Sequence, residues 1–304
     1  MISDDNEKRE SVVVGMVAAA GAMFMFTLMN AFAKYLSTDH SIIEIVFYRN
    51  VVACIPFLSL AFLFGRRDML VIQSKPAFIG FRAVLGTLTL GVTFAAYSAM
   101  PMAETSALLF TASLFLPVLG VVILREAVGP YRWSAVVIGF VGVAIMVRPG
   151  GNINTLGVLL ALGAAFLQAN MGVLLRHLGG HEKPATISFY FFVVGALISG
   201  LAMPFVGKLP SLSAIPLFLG VGLAGAAAQM LYAVALKNAP ASIVAVLNYT
   251  SIIWAMLFGW LIWNDWPTTI VLIGAGVIIA TSLLIAWRES RLGRARPSIK
   301  DLTT

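Results

Sequence analysis

Long apolar runs alternate along the chain with short polar connections. Each run is long enough, at ~1.5 Å of helical rise per residue, to cross a hydrocarbon core of ~30 Å with some tilt. The pattern therefore predicts an all-α polytopic membrane protein with ten transmembrane helices. The ten runs lie near residues 11–36, 41–64, 77–99, 102–124, 131–148, 156–176, 185–207, 214–236, 240–263 and 267–287.

The apolar runs are continuous and do not alternate with a period of two residues. A transmembrane β-barrel requires that alternation, so the pattern argues against one. Residues 1–10 and 288–304 are polar and predict tails at the two ends of the chain. The first apolar run exceeds 20 residues and lacks an A-x-A cleavage site, which indicates a retained span and not a signal peptide.

The segment Tyr97–Trp133 resembles a second segment that lies 139 positions further along the chain. Each copy has a short polar loop with Pro, an apolar run, an acidic residue and another apolar run. The pairs of residues that the shift superposes are Pro101 with Pro240, Phe110 with Tyr249, Gly120 with Gly259, and Glu126 with Asp265. Chance resemblance between two apolar segments is the alternative to an internal duplication. Internal repeats are typical of transporters.

A duplication divides the ten spans into repeats of five, at residues 11–148 and 156–287. An odd number of crossings turns the second repeat upside down, so the repeats are expected to be inverted and related by a two-fold axis in the membrane plane. Two inverted halves can exchange conformations. Each of the two resulting arrangements then opens a central cavity to one side of the membrane.

Composition and charge agree with this interpretation. Hydrophobic residues make up 60% of the chain and charged residues 11%, with a mean hydropathy of +0.95, whereas soluble domains have about 25% charged residues. The net charge of +7 comes from connections and tails, which argues against a nucleic-acid partner. Lys and Arg concentrate on the side of the N-terminus, and only Lys34, Arg148 and Lys208 lie opposite. This bias predicts that both termini are cytoplasmic.

Polar residues inside the apolar runs are the candidates for a solute site, since such residues are costly in lipid. Arg49 lies deep in the second run, where it either pairs structurally, for example with Glu44, or meets an anionic substrate group. Arg82 can extend to the interface. Hydrogen bonds between helices are the alternative role for the uncharged polar residues, which are Asn30, Gln168, Asn170, Gln229, Tyr232, Asn248 and Tyr249.

Aromatic residues in the same runs would suit a flat or amphiphilic solute or a cation. Contact with lipid is the alternative for each of them. The aromatic candidates are Phe94, Tyr97, Phe110, Tyr232 and Tyr249.

Several chemistries have no signal in the sequence. There is no Walker A motif, and His40, His177 and His181 fall in connections without metal-site spacing. No cofactor, metal site or enzymatic activity is therefore predicted. The carboxylates near span ends, which are the only candidates for coupling to protons, are Glu44, Glu104, Glu126 and Asp265.

The chain resembles the EamA-type carriers of the drug/metabolite transporter superfamily over nearly all of residues 11–287. The resemblance is clearest in the first half, and Asp265 stands where the family's second copy usually has Glu. The residues that carry it are Glu44-Ile-Val-Phe-Tyr-Arg49, Phe81-Arg82-Ala83 with Leu85, Ala96-Tyr97, Pro101 with Ala103 and Ala107, Pro117, Leu124-Arg125-Glu126, and Gly139 with Gly142.

The resemblance implies secondary transport of a small organic solute across a bacterial inner membrane, through a cavity lined by both halves. It suggests carriers of riboflavin, S-adenosylmethionine, amino acids or related metabolites. The expected partners are the solute, membrane lipids, and protons or a counter-solute, in a monomer or homodimer. A passive channel or an accessory membrane subunit is the alternative, and a lipid-modifying membrane enzyme is a weaker one.

Overall fold

The computed structural model describes residues 2–73, 76–124, 129–147, 154–178 and 183–294, and all regular structure in these ranges is helical. A short 3-10 helix spans Arg67–Leu70. The α-helices are α1 (Ile2–Leu36), α2 (Ile42–Leu63), α3 (Pro76–Ala99), α4 (Met102–Leu109), α5 (Ala112–Leu124), α6 (Pro130–Val147), α7 (Thr155–Leu178), α8 (Pro184–Val206), α9 (Ile215–Asn238), α10 (Ala241–Asn248), α11 (Thr250–Trp263) and α12 (Thr269–Arg294).

Every one of the ten predicted apolar runs is helical in the described ranges, and eight reach spanning length. The two shorter apolar helices are 133–147 and 269–285. The eight long ones are Ser11–Leu36, Ile42–Leu63, Pro76–Ala99, Met102–Ile123, Thr155–Leu174, Pro184–Val206, Ile215–Asn238 and Ile243–Trp263. The helical prediction is confirmed, and the count of spanning helices is confirmed for eight.

The ends of the chain differ from the expected tails. α1 begins at Ile2 and α12 continues to Arg294, so helix extends into both polar segments. Residues 295–304 lie outside the described residues, as do Glu126, Arg148 and His181.

The two repeats are interleaved in the bundle. α1 packs along α9 and α3 packs along α7, while α2 contacts α8 and α6 contacts α12. Each of these pairs joins one helix from α1–α6 to one helix from α7–α12. Each hydrophobic cluster among the described residues therefore combines side chains of both repeats.

The α1–α9 and α3–α7 pairs are equivalent to each other. In the first, Gly15, near the start of the apolar part of α1 (Ser11–Leu36), packs so closely on the end of α9 that an added Cβ would lie 2.6 Å from Ala239 Cβ. In the second, Gly157 near the start of α7 packs on the end of α3, where an added Cβ would lie close to Met100 Cγ. The apolar span of the first helix of each repeat thus begins against the end of the third helix of the other repeat.

The opposite directions of the repeats follow from these contacts. Lys34, near the end of α1, donates from Nζ to the carbonyl oxygens of Tyr97 (3.0 Å) and Met100, just where α7 begins. α1 therefore ends where α7 starts, so the first helices of the two repeats run in opposite directions, in agreement with the predicted inversion. We call this end of the bundle the Met100 end, and the end where α1 meets Ala239 the Ala239 end.

Candidate functional site

Two of the predicted spans, 102–124 and 240–263, are each interrupted by a short joint. The joint residues Phe110 (φ −67°, ψ −12°) and Tyr249 (φ −68°, ψ −15°) have the same backbone conformation. Their N–H groups donate to carbonyl oxygens three residues back, Phe110 to Ala107 at 3.2 Å and Tyr249 to Val246 at 3.2 Å. A single 3-10 turn inside a helix often marks a functional hinge. The structure has one in each repeat.

The joints lie at equivalent positions because the helices before them begin alike. Pro101 caps the start of α4 (φ −55°, ψ 149°) and Pro240 caps the start of α10 (φ −55°, ψ 138°). The predicted pairing of Pro101 with Pro240 and of Phe110 with Tyr249 thus agrees with the backbone.

The two joints meet through their aromatic rings. Phe110 and Tyr249 are stacked, with ring centroids 4.5 Å apart and an interplanar angle of 28°. Both residues are half-buried. Such a pair contributes about 0.5–1.5 kcal/mol beyond its buried area. The sequence identified both residues as candidates, and the structure brings them into contact.

Threonine hydroxyls follow the joints in both repeats. Thr111 Oγ1 donates to Leu108 O at 2.6 Å, and Thr250 Oγ1 donates to Leu247 O at 2.7 Å. The donors are 139 residues apart and so are the acceptors. Threonine hydroxyls that bond back to the preceding turn often bend helices. This agrees with the 3-10 hydrogen bonds, from each N–H to the carbonyl three residues back, at both joints.

Further polar groups surround the Tyr249 joint. The Tyr249 hydroxyl hydrogen-bonds with the side chain of Ser282 on α12, and Ser282 Oγ lies 2.5 Å from Ser113 Oγ on α5. The neighbouring Asn248 Oδ1 is buried and has no hydrogen-bond partner among the described residues. Because unpaired buried acceptors are rare in folded proteins, Asn248 is a strong candidate for a ligand contact.

A second polar group lies where α1, α3 and α4 meet. The Tyr97 hydroxyl hydrogen-bonds with the side chains of Ser106 and Asn30. All three residues are buried. Asn30 Oδ1 has no partner among the described residues and so has a free acceptor.

Arg49 on α2 is the largest of the fully buried side chains, with 1% of its surface exposed. Its Nη1 donates to Asn50 Oδ1 at 2.7 Å, and its guanidinium lies 5.1 Å and 4.7 Å from the ring centroids of Phe191 and Phe192. The expected alternative partner, Glu44, instead accepts hydrogen bonds from the backbone N–H groups of Ser41 and Lys208.

The other predicted residues are dispersed. Phe94 is buried in an apolar cluster with Met29 and Phe218. Gln229 and Tyr232 are half-buried on α9, and the Tyr232 ring lies edge-on to Phe26, 6.3 Å away. Two candidates lie on α7, with Gln168 exposed and Asn170 Nδ2 donating to Phe166 O at 2.8 Å on its own helix. Whether these residues contact a solute stays a prediction.

Sequence reasoning overlooked several polar residues that the structure places beside the candidates. Trp254 Nε1 is buried without a partner among the described residues, and its ring lies edge-on to Phe24 at 5.0 Å. The sequence also gave no signal for Asn50, Ser106 and Ser282. Thr111 and Thr250 could have been found, because they follow Phe110 and Tyr249 at the same offset of 139.

A cleft opens at the Met100 end between the two repeats, with a volume of about 200 Å³. It contains two carboxylates, Glu104 from the first repeat and Asp265 from the second. Lys34 lies nearby, with Nζ 5.3 Å from the ring centroid of Trp263. The described residues contain no group of three or more His, Cys, Asp or Glu side chains that could hold a metal ion.

Comparison with known proteins assigns the family. The profile of the EamA-like transporter family matches the chain twice, at residues 13–148 and 155–287. These ranges agree closely with the two repeats predicted from the sequence. Both copies of the duplication are therefore copies of one family unit.

Several proteins that are similar to this chain are named as transporters. A riboflavin transporter of Vibrio cholerae serotype O1 is 29% identical over 293 residues, which cover 92% of this chain and 97% of that protein. A pseudopaline exporter of Pseudomonas aeruginosa strain UCBPP-PA14 is 26% identical, with 90% and 95% covered. An S-adenosylmethionine uptake transporter of Rickettsia bellii is 26% identical, with 88% and 93% covered.

A solved crystal structure shares the fold at 15% sequence identity. Its TM-score is 0.62, and the match covers 93% of this chain and 99% of the other. The family profile covers most of the described helices. The relatives named above are small-molecule transporters, and this chain aligns with nearly the whole length of each. The chain therefore belongs to the EamA-like transporter family and is a multi-pass membrane protein.

Proposed function

We propose that the protein is a secondary transporter that moves a small amphiphilic organic metabolite across a bacterial inner membrane by alternating access. The observation that carries this proposal is the pair of hinge-like joints, one in each of two oppositely directed repeats, that meet through the Phe110–Tyr249 stack. Such an arrangement lets each repeat adopt the conformation of the other, which would open the bundle first at one end and then at the other.

The membrane arrangement in this proposal has ten crossings. Besides the eight long helices, the two shorter apolar helices Trp133–Val147 and Thr269–Ile285 would also cross the membrane. The excess of Lys and Arg near the Ala239 end supports a cytoplasmic position for that end and for both termini. The Met100 end would then face the opposite side.

The solute would contact the polar and aromatic groups around the joints. Asn248, Tyr249 and Phe110 at the joints, and Asn30 and Tyr97 beside α4, would line its path. Asn30 and Asn248 each have a buried oxygen without a partner among the described residues, and both lie next to aromatic rings. Relatives are named for riboflavin, pseudopaline and S-adenosylmethionine, which supports a small organic metabolite as the substrate class.

Counterflow in proteoliposomes tests the proposal. Purified protein is reconstituted without ATP, loaded with excess unlabelled riboflavin or S-adenosylmethionine, and supplied with the labelled compound outside. A secondary transporter gives saturable accumulation of label. Tyr249→Ala should reduce it at least about tenfold, whereas Phe205→Ala, at a residue that is 86% exposed on α8, should leave it unchanged. Non-saturable flux would indicate a channel, and no flux of either compound would contradict the proposal.

A further inference from the structure

The guanidinium of Arg49 lies near the middle of the bundle, far from both ends. It faces Gly225, where an added Cβ would lie 2.9 Å from Arg49 Nε. The adjacent Asn50 faces Gly195, where an added Cβ would lie 2.5 Å from Asn50 Nδ2. Gly195 is the twelfth of the 23 residues of α8, and Gly225 is the eleventh of the 24 residues of α9. Arg49 is therefore at a depth where an isolated positive charge is costly in a membrane protein.

This cation has no anionic partner among the described residues. No described carboxylate forms an ion pair with it, and its one hydrogen bond within the described ranges is from Nη1 to Asn50 Oδ1. The rings of Phe191 and Phe192 cover the guanidinium and partly compensate its charge. Glu44, five residues before Arg49 on the same helix, instead accepts hydrogen bonds from the backbone N–H groups of Ser41 and Lys208.

Two hydrogen-bond donors in this region are unused. Arg49 Nε and Asn50 Nδ2 are buried, and neither has an acceptor among the described residues. They belong to consecutive residues of α2, and both face glycines of the second repeat. A guanidinium edge beside an amide N–H matches an oxyanion with two oxygens, which arginine binds with particular strength. A methyl group at Gly195 or Gly225 would occupy the space next to Asn50 Nδ2 or Arg49 Nε, respectively.

The proposed function, on which this inference rests, provides a way to reach the donors. α2 belongs to the first repeat, and α8 and α9 belong to the second. Relative movement of the repeats would separate the two glycines from Arg49 and Asn50 and expose both donors. We propose that Arg49 and Asn50 bind a carboxylate or phosphate group of the transported solute, so that the protein selects metabolites carrying an anionic group.

The test compares probes that differ by one anionic group in counterflow with the full-length protein. The pairs are riboflavin 5′-phosphate and riboflavin, S-adenosylmethionine and its decarboxylated form, and phenylalanine and phenethylamine. In the pair that the protein transports, the anionic member should be favoured at least about tenfold. Arg49→Gln should reduce this preference to nearly one, and Arg49→Lys should retain part of it. Arg82→Gln is the matched control, because Arg82 is another arginine in a span with a buried, unpartnered Nε, and it should keep the full preference.

The outcomes separate the inference from the proposed function. Equal counterflow of both members of a pair by the wild-type protein overturns the anion site and leaves the secondary transporter in place. A preference that survives in Arg49→Gln also overturns it. Absence of saturable counterflow for every probe contradicts the proposed function itself.

A second measurement covers the case in which Arg49 only holds helices together. If the cation is kept for a ligand, removing its uncompensated charge should not weaken the ligand-free protein. Arg49→Met should therefore unfold in detergent at the same temperature as the wild type or at a higher one. A lower unfolding temperature, or failure to fold, shows that Arg49 is a structural tie and overturns the proposal.

Discussion

Each end of the bundle has a polar contact, here called a tie, between the second helices of the two repeats, and the two ties differ in burial. At the Met100 end, Glu44 at the start of α2 accepts hydrogen bonds from its own Ser41 N–H at 2.7 Å and from Lys208 N–H, just after α8. At the Ala239 end, Lys183 at the start of α8 donates to Asp68, just after α2, at 3.0 Å. Each tie joins the start of the second helix of one repeat to the segment after the second helix of the other.

Burial makes these two ties unequal in strength. Glu44 is 1% exposed, whereas the side chains of Lys183 and Asp68 are 44% and 48% exposed. Exposed ion pairs contribute little, because water and salt screen them. A buried carboxylate that accepts backbone N–H groups contributes more, because its loss leaves those groups unsatisfied. The duplicated position thus produces a strong tie at the Met100 end and a weak one at the Ala239 end.

The largest expected effect comes from removing the stronger tie. Glu44→Ala abolishes the capping box of α2 and leaves the N–H groups of Ser41 and Lys208 without an acceptor, so we expect a loss of about 3 kcal/mol in unfolding free energy. Asp68→Ala, at the equivalent tie, should cost much less, because that ion pair is exposed to water. Unfolding in detergent measures both. Equal losses would show that burial does not separate the ties.

The glycine contacts at the two ends differ in what surrounds them. Gly15→Ala would press on the backbone of Ala239 and Asn238, which cannot move aside, and should cost about 2–3 kcal/mol. Gly157→Ala would meet mainly the flexible side chain of Met100 and should cost about 1 kcal/mol.

Gly163 provides the control for this pair. It lies on α7, like Gly157, with nothing within 4 Å of an added Cβ. Gly163→Ala should stabilise the helix by up to about 1 kcal/mol. Thermal unfolding of the three variants ranks them, and a larger loss at Gly157 than at Gly15 would contradict the packing argument.

The contact between the joints can be measured by a double-mutant cycle. Phe110→Leu and Tyr249→Leu each remove the stacked ring pair, so the double variant should lose about 1 kcal/mol less than the sum of the single variants. Unfolding free energies of the four proteins yield the coupling. Additive losses would show that the rings of the two repeats do not stabilise each other.

The threonines of the two joints should behave alike. Thr111→Val and Thr250→Val keep the side-chain shape and remove a hydroxyl that bonds to a carbonyl three residues back. Because both hydroxyls bond to the preceding turn in the same way, each should change stability by about 0.5 kcal/mol, and both by a similar amount. A difference above about 1 kcal/mol would show that the joints are not energetically equivalent.

The smallest effect concerns pH at the Ala239 end. The hydrogen bond from Lys183, together with the charges of Lys183 and Arg66, lowers the pKa of the Asp68 carboxyl. A group whose pKa is lower in the folded state stabilises the fold above its ordinary pKa. That contribution is lost as pH falls through the lowered pKa. The Asp68→Asn variant should therefore lose less stability than the wild type during acid titration, and identical titrations would contradict this.

Much of the architecture was predictable from the sequence. The ten apolar runs are helices with ends within a few residues of their predicted bounds, apart from α1 and α12, since uninterrupted apolar stretches of this length need lipid and must satisfy their backbone internally. The 139-residue offset also paired Phe110 with Tyr249, which form the joints in the structure, and Pro101 with Pro240, which cap the helices before them.

The interruptions within the spans were harder to predict. Residues 102–124 and 240–263 read as continuous apolar runs, and nothing in hydropathy distinguishes a 3-10 turn from an α-turn. The pairing of each threonine with a carbonyl three residues back depends on the local backbone, which hydropathy does not report.

The sequence by itself determined that this is a duplicated, helical membrane protein, predicted that the repeats are inverted, and identified Arg49, Phe110 and Tyr249 as candidates. Only the tertiary structure decided that Phe110 stacks on Tyr249, that Asn30 meets Tyr97, and that Glu44 is unavailable to Arg49. The physical reason is that hydropathy reports only the transfer of a segment into lipid. The contact partners of these side chains come from helices that are far apart in the chain. The packing of the two repeats decides which polar atoms remain without a hydrogen bond.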